Sequence, residues 1–172
     1  MNIMNTLTLA ESNELYRQTH EMHDEYFAGF SIMDHVHQIG QLIQHSNIQT
    51  AIDYGCGKAR AHKKFNFKGL WKLRELALYD PGVEEYCVKP ITPADLVICT
   101  DVMEHVPEHL VDEVLTDINS LATKAIFFNI ATTPASKRLV DGSNAHATVQ
   151  RVDWWQKKLD RLNKLVIVHY SK

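Results

Sequence analysis

The chain has 172 residues, 45% of them hydrophobic, and a formal net charge of −3 at pH 7. This length suits one domain with a buried core, and the small negative charge gives no general attraction to nucleic acid or to anionic membranes. The sequence shows no secretory signal and no apolar run that could cross a bilayer, and its three cysteines do not form a disulfide framework pattern. We therefore expect a single-domain protein of the reducing cytoplasm.

Two helices are predicted before the first strand. Residues 9–27 have a helix-compatible mixture of polar and apolar side chains that stops at Gly29. Ser31 can cap a second helix, with Asp34 as the acidic partner in its first turn. Within the single domain of residues 1–172, we expect residues 1–48 to form a helical cap on a core of residues 49–172.

Strands and helices alternate in the remainder of the chain. Apolar runs predict strands at residues 50–54, 76–80, 95–100, 124–130 and 164–169, with a vestigial strand at residues 87–88. Helices are predicted at residues 58–65, 107–121 and 152–162. The alternation predicts an α/β fold, a Rossmann-like doubly wound and mostly parallel sheet with helices on both faces. Ligands of such sheets bind beyond the carboxyl ends of the strands.

A glycine motif follows the first predicted strand directly. It reads Asp53-Tyr-Gly55-Cys-Gly57-Lys-Ala59, which is neither the dinucleotide fingerprint nor a P-loop. Glycines let the chain turn sharply and let a ligand approach the backbone, and we expect free N–H groups at the start of the next helix to face the same place. A nucleotide-type loop and an ordinary strand-to-helix turn are both consistent with the motif alone.

Three features in order resemble the class I S-adenosylmethionine-dependent methyltransferases. They are the motif Asp53-x-Gly55-x-Gly57, the acid Asp80 at the end of the second strand, and the segment Asp101-Val-Met-Glu-His-Val-Pro107. The last segment is especially similar to the small-molecule branch typified by the ubiquinone-biosynthesis O-methyltransferases. The resemblance covers about residues 50–130. It implies the type of cofactor and says little about the substrate.

The resemblance implies S-adenosylmethionine as cofactor. Asp80 would accept hydrogen bonds from the ribose hydroxyls, although an Asx turn is the alternative. Asp53 would orient the turn or the ammonium group, and Asp101 would line the pocket or cap the next helix. The predicted cofactor-binding residues are Asp53, Gly55, Cys56, Gly57, Asp80, Thr100, Asp101 and Val102.

The chain departs from this family in three respects. The family usually has an acidic or polar residue after a third strand that recognises adenine, and residues 87–94 offer no obvious equivalent. The family sheet ends in a hairpin, and residues 164–169 look like its first strand only, so the last strand is missing, comes from another chain, or is misassigned. No Asn-Pro-Pro-Tyr-type segment follows the fourth strand, which argues against methylation of amines on DNA bases.

Two histidines are the predicted catalytic residues. His105 follows a strand end and titrates near neutrality, so it is a candidate general base, with a structural role in the Glu104 loop as the alternative. His146 lies in the polar loop after the strand at residues 124–130 and is a candidate base or substrate ligand.

The first helix offers candidate substrate ligands. Tyr16 and His20 share one helix face at i, i+4, where they could belong to a lid or to a solvated surface. His20/His23 and His105/His109 have spacings compatible with metal ligands. Because no cysteine or third histidine joins either pair, we predict no metal site.

The expected function is methyl transfer from S-adenosylmethionine to oxygen or nitrogen of a small-molecule acceptor. The N-terminal helices and residues 132–149 would shape the acceptor pocket. The alternative is a protein that binds S-adenosylmethionine without methyl transfer, either a regulatory module or an enzyme that cleaves the cofactor. We expect neither membrane nor nucleic acid as a partner, and a homo-oligomer is compatible with the sequence.

Overall fold

The structure is a computed structural model that describes residues 6–172. Five strands form one sheet in the order β2-β1-β3-β4-β5, and all neighbours pair in parallel. The strands are β1 Thr50–Tyr54, β2 Glu75–Tyr79, β3 Ala94–Thr100, β4 Ala122–Ala131 and β5 Leu165–Ser171. The α-helices are α1 Leu9–Met22, α2 Val36–His45, α3 Arg60–Lys64, α4 Phe67–Leu70, α5 Val111–Leu121 and α6 Val152–Leu159. The predicted Rossmann-like α/β sheet is confirmed.

Helices cover both faces of this sheet. Successive side chains of a strand point to opposite faces, so Val97 and Cys99 of β3 pack with α5 and α6. Leu96 and Ile98 point the other way and pack with α2, α3 and α4. All four side chains have no measurable exposure. The unbroken apolar run of β3 follows from this burial on two sides.

The strand order creates a crevice beside β1. The chain passes from β1 to β2 on one side and then crosses back to place β3 on the other side. At such a switch point the connections leave in opposite directions, and ligands of doubly wound sheets bind there. The residues that follow Tyr54 and Thr100 border this crevice.

The segment between the first two helices differs from the prediction. Helix α1 ends at Met22 instead of residue 27, and Phe27 has a left-handed backbone with φ +48°. Ser31 does not cap a helix; it begins the 3₁₀ segment Ser31–His35, and its hydroxyl lies 3.1 Å from Thr100 Oγ1. This tertiary contact replaces the predicted local one.

The vestigial strand predicted at residues 87–88 is absent from the described part of the chain. The connection from β2 to β3 instead contains the 3₁₀ turn Glu84–Tyr86, followed by exposed backbone. Val88 and Ile91 in this connection are 84% and 94% exposed, so no apolar face is available to hold a strand there.

The two N-terminal helices occupy different places. Tyr16 of α1 packs with Leu139 and Ala145 of the connection between β4 and α6. Helix α2 instead buries Ile39 and Ile43 in the core on one face of the sheet. Only α1 therefore lies over the carboxyl ends of the strands. Within residues 6–172, no helix combines the length and apolarity that crossing a membrane requires.

Candidate functional site

A cleft of about 1210 Å³ opens at the carboxyl ends of the strands. It is bordered by the ends of β1 to β4, by α1, and by the connection between β4 and α6. Most of the predicted site residues line it: Tyr16, His20, Gly55, Gly57, Asp80, Thr100, Asp101, Val102, His105 and His146. Asp53 and Cys56 do not.

Asp53 and Cys56 lie in the interior behind this cleft. Asp53 Oδ2 is 2.6 Å from His62 Nε2, so this buried carboxylate ties the end of β1 to α3. Cys56 is 2% exposed, and burial raises the pKa of its thiol. Sequence reasoning missed His62, because no spacing rule connects it to Asp53.

The glycine loop, residues 55–59, is hydrogen-bonded to the chain itself. All the N–H groups of the loop are paired, and so is that of Arg60, the first residue of α3, so Arg60 does not offer a ligand the free N–H that we expected. Most of the acceptors are carbonyl groups at the end of β2 and in the segment after α1. These pairs are Gly55 and Cys56 to Tyr79 O (2.7 and 3.1 Å), Lys58 to Phe27 O (3.0 Å) and Arg60 to Ala28 O (3.0 Å).

The space beside the two glycines is also filled by the chain. Gly55 has φ +83°, and a Cβ there would lie 2.2 Å from a methyl group of Val102. Gly57 has φ +56°, and its Cβ would lie 2.2 Å from Phe27 O. Internal packing and backbone geometry therefore require both glycines before any ligand is considered.

Asp80 joins the end of β2 to the glycine loop. Its Oδ2 accepts the Gly57 N–H at 2.7 Å, and its Oδ1 accepts the Gly82 N–H at 2.9 Å, which forms the Asx turn that the sequence allowed. Burial raises the pKa of Asp80 to about 6, an effect that the two N–H donors partly oppose. A carboxylate has about four lone-pair sites, so both oxygens can accept a further donor from the cleft.

Asp101 is held at the end of β3 in a left-handed backbone conformation, with φ +55°. Its N–H donates to Asn129 O at 3.0 Å, and its carboxylate accepts from the Asn129 side-chain amide. The following turn, Met103–His105, has no side-chain cap, so the helix-capping interpretation of Asp101 is wrong. Burial raises the pKa of Asp101.

The two candidate catalytic histidines face each other, with ring centroids 5.0 Å apart. His105 Nδ1 is 2.7 Å from Ala145 O, and His146 Nδ1 is 2.6 Å from Thr133 O. A carbonyl oxygen only accepts, so each Nδ1 carries a hydrogen, and Nε2 is the nitrogen of each ring that can hold a lone pair. Desolvation lowers the pKa of His105 to about 3, so this ring is neutral at pH 7.

Glu104 is the functional candidate that sequence reasoning missed. It has no measurable exposure, and its Oε1 accepts the Ala131 N–H at 3.0 Å. Its Oε2 is buried and has no hydrogen-bond partner among the described residues. Burial, together with the nearby charge of Asp101, raises the pKa of Glu104 to about 8.

Helix α1 closes one side of this cluster. The Tyr16 hydroxyl donates to Ala145 O at 2.6 Å and lies 2.9 Å from His105 O. His20 is 7% exposed, and desolvation lowers its pKa to about 4. The solvated-surface interpretation of this helix face is therefore wrong, because His20 is buried and Tyr16 is engaged with the two loops.

The two histidine pairs with metal-ligand spacing in the sequence, His20/His23 and His105/His109, do not form pairs of metal ligands. His23 stacks on Tyr26, and His109 Nε2 lies 2.9 Å from Leu7 O. The only group of three or more potential ligands in residues 6–172 is Glu104, His105 and His146.

No family model, curated protein or solved structure matches this chain. The chemistry of the cleft combines a hydrogen-bonding acid at the end of β2, a second acid at the end of β3, and the imidazoles of His105 and His146 beyond β3 and β4.

Proposed function

We propose that the protein is an S-adenosylmethionine-dependent methyltransferase that acts on oxygen or nitrogen of a small-molecule acceptor. One observation carries the proposal: a single cleft contains Asp80 at the end of β2 together with His105 and His146. This arrangement supplies a hydrogen-bond acceptor for a ribose diol and, in the same cleft, proton acceptors for a nucleophile.

The cleft suits this cofactor in size and charge. Its volume of about 1210 Å³ exceeds the usual range for one small ligand, about 300–1000 Å³, so a cofactor and an acceptor fit together. The remaining lone pairs of Asp80 can accept the ribose hydroxyls. Asp101 brings a carboxyl group to the end of β3, and its ionised form favours a sulfonium cation nearby. When bound, the cofactor supplies an electrophilic methyl group.

The contribution of the chain to the reaction is positioning and proton removal. Methyl transfer is an in-line displacement, for which a fixed geometry lowers much of the barrier. His105 has a pKa of about 3 and is too weak a base for efficient proton removal at pH 7. His146 is less enclosed than His105, because its ring nitrogen forms its hydrogen bond at the surface, whereas that of His105 is partly buried. His146 is the better-placed base of the two.

A second candidate is a protein that binds S-adenosylmethionine without transferring the methyl group. The internally paired N–H groups of the glycine loop favour it, because this backbone offers the cofactor fewer donors than we expected. A regulatory module and an enzyme that cleaves the cofactor both fall within this alternative.

Calorimetric titration with S-adenosylmethionine tests cofactor binding. We expect saturable binding to the wild type, and an Asp80→Asn variant to lose about 1–3 kcal/mol of binding free energy, because a charged hydrogen-bond acceptor is removed. Asp153→Asn is the matched control, since Asp153 lies on the exposed start of α6. Unchanged affinity in a folded Asp80→Asn variant refutes the ribose role, and no binding to the wild type refutes both candidates.

Methyl-labelled cofactor and a pool of small hydroxyl and amine compounds test transfer. We expect His146→Ala to lower turnover by about 10²-fold or more while cofactor affinity stays unchanged. His37→Ala, an exposed histidine of α2, is the control. Cofactor binding with no labelled acceptor favours the second candidate, and loss of the cofactor without an acceptor identifies cleavage.

A further inference from the structure

Three side chains with metal-binding chemistry converge beyond the ends of β3 and β4. One donor atom from each of Glu104, His105 and His146 lies within 4.8 Å of the donor atoms of the other two. Glu104 and His105 belong to the turn after β3, whereas His146 comes from the connection between β4 and α6. The fold, and not sequence spacing, brings the third ligand to the other two.

An independent observation at the same place points to a ligand. Glu104 is fully buried, and Ala131 N–H fixes one of its oxygens, which leaves Oε2 without a partner among residues 6–172. A buried polar oxygen without a partner is costly and rare in folded proteins. A cation in this cluster would satisfy that oxygen.

The two imidazoles are oriented as metal ligands usually are. Backbone carbonyls of Ala145 and Thr133 accept the Nδ1–H groups of His105 and His146, which leaves both Nε2 lone pairs available. Metal-ligating histidines almost always donate their other N–H to a carbonyl or carboxylate, which fixes the tautomer and the ring. The Tyr16 hydroxyl also donates to Ala145 O, the carbonyl that accepts from His105, and so helps to fix its position.

We propose that Glu104, His105 and His146 bind one divalent first-row transition metal ion, with its open coordination positions toward the cleft. Two imidazoles and one carboxylate form the protein ligand set of catalytic zinc sites and of non-haem iron sites. Metal–ligand bonds of about 2.0–2.2 Å place neighbouring donors about 3–3.5 Å apart. Because the donor atoms lie within 4.8 Å of one another, ion binding would require the side chains to rotate until this spacing is reached.

The charge around the cluster also suits a dication. Asp101 adds a second carboxyl group close to Glu104 and His146. The nearby ammonium group of Lys137 is turned toward the rings of Tyr26 and Phe27, 5.2 and 5.4 Å from their centroids. Two carboxyl side chains and two imidazoles therefore surround the site.

The role of this ion in turnover rests on the proposed function. When Glu104, His105 and His146 hold the ion, it would replace His146 as the group that promotes proton loss, because it would bind the acceptor hydroxyl and lower its pKa. The O–H bond breaks and the proton leaves to water. The oxygen then forms its bond to the methyl carbon while the carbon–sulfur bond breaks and its electron pair stays on sulfur.

Metal binding is tested without S-adenosylmethionine, so its outcome is separate from that of the proposed function. The full chain is treated with EDTA, dialysed, and titrated with Co²⁺, Zn²⁺ and Mn²⁺ by calorimetry, with the visible spectrum of Co²⁺ as a second readout. We expect one ion per chain and a Co²⁺ spectrum typical of nitrogen and oxygen ligands. Glu104→Gln and His146→Ala should each weaken binding by about tenfold or more.

His37→Ala is the matched control, because it makes the same histidine-to-alanine change at an exposed residue outside the cluster. Because His146 is only partly buried, His146→Ala keeps the test valid if Glu104→Gln does not fold. The proposal is overturned if the wild type binds none of the three ions saturably, or if the folded variants bind as tightly as His37→Ala.

Discussion

Gly55 is confined both by its backbone conformation and by the side chain of Val102. Its φ is +83°, and an added Cβ would meet a Val102 methyl group at 2.2 Å. Gly142 has nearly the same φ, +82°, but nothing lies within 4 Å of its Cβ position. We expect Gly142→Ala to cost about 1–2 kcal/mol from backbone strain alone. Gly55→Ala should cost about 1–3 kcal/mol more because of overpacking, as measured by urea unfolding.

Val102→Ala provides the control for this difference. In the double variant Gly55→Ala/Val102→Ala the two Val102 methyl groups are removed, which leaves the contact with the Cβ of residue 102 at 3.2 Å and the backbone strain. Relative to Val102→Ala alone, the Gly55 substitution should then cost about as much as Gly142→Ala. Equal costs for Gly55→Ala and Gly142→Ala in the wild-type background would contradict the packing argument.

The sequence predicted correctly which side chains at the strand ends line the cleft. Gly55, Asp80, Asp101 and His105 all border the cleft, as the motif order and the parallel sheet together require. Glu104 was missed although it stands next to His105. Its importance comes from complete burial, and a single sequence does not show which acid of a turn points inward.

Among the secondary-structure elements, helix α1 has a capping box at its N-terminus and packs against the rest of the protein through the face that carries Tyr16. Thr8 accepts the Glu11 N–H, and the Glu11 carboxylate accepts the Thr8 N–H at 2.8 Å, which makes a capping box. We expect Thr8→Ala to destabilise α1 by about 1 kcal/mol. Hydrogen exchange should then be faster for α1 amides and little changed in β3 and β4, since helix ends open locally.

Thr116→Ala in α5 is the matched control. This threonine is exposed, and its hydroxyl bonds to Asp112 O within the same helix, so it caps nothing. Its loss should leave α1 exchange unchanged. Equal protection of α1 in Thr8→Ala and in the wild type would show that the cap does not govern this helix.

Elements were predictable where local pattern and tertiary environment agree. The apolar runs of β1 and β3 are buried by both layers of helices, so their positions followed from composition. The segment around Phe27 and Ser31 was misassigned because distant groups decide its structure. Phe27 O accepts Lys58 N–H, and the Ser31 hydroxyl contacts Thr100.

For the molecule as a whole, the raised pKa of Asp80 contributes to the pH dependence of the free energy of unfolding. Burial raises its pKa from the ordinary 3.8 to about 6, so between these values the folded state binds more protons than the unfolded state. The contribution of Asp80 to the free energy of unfolding should therefore fall as pH rises from about 4 to about 6. The contribution of Asp80 is at most about 3 kcal/mol.

Asp80→Asn separates this effect from that of the other acids. The variant loses one of the two N–H acceptors and is less stable at low pH, but its unfolding free energy should lack the fall between pH 4 and 6 that Asp80 contributes to the wild type. Urea unfolding at several pH values measures both slopes. Identical slopes for the variant and the wild type would refute the raised pKa.

The hydrogen bond from Tyr16 to Ala145 O spans 129 positions of the chain. Helix α1 therefore leaves the ribosome long before its docking surface exists. At about 5–20 residues per second, the delay is roughly 6–26 s. During this interval Leu15 and Tyr16 have no partner loop, and the capping box at Thr8 and Glu11 supplies local order. Completion of the cleft is consequently a late event of synthesis, set by the arrival of residues after β4.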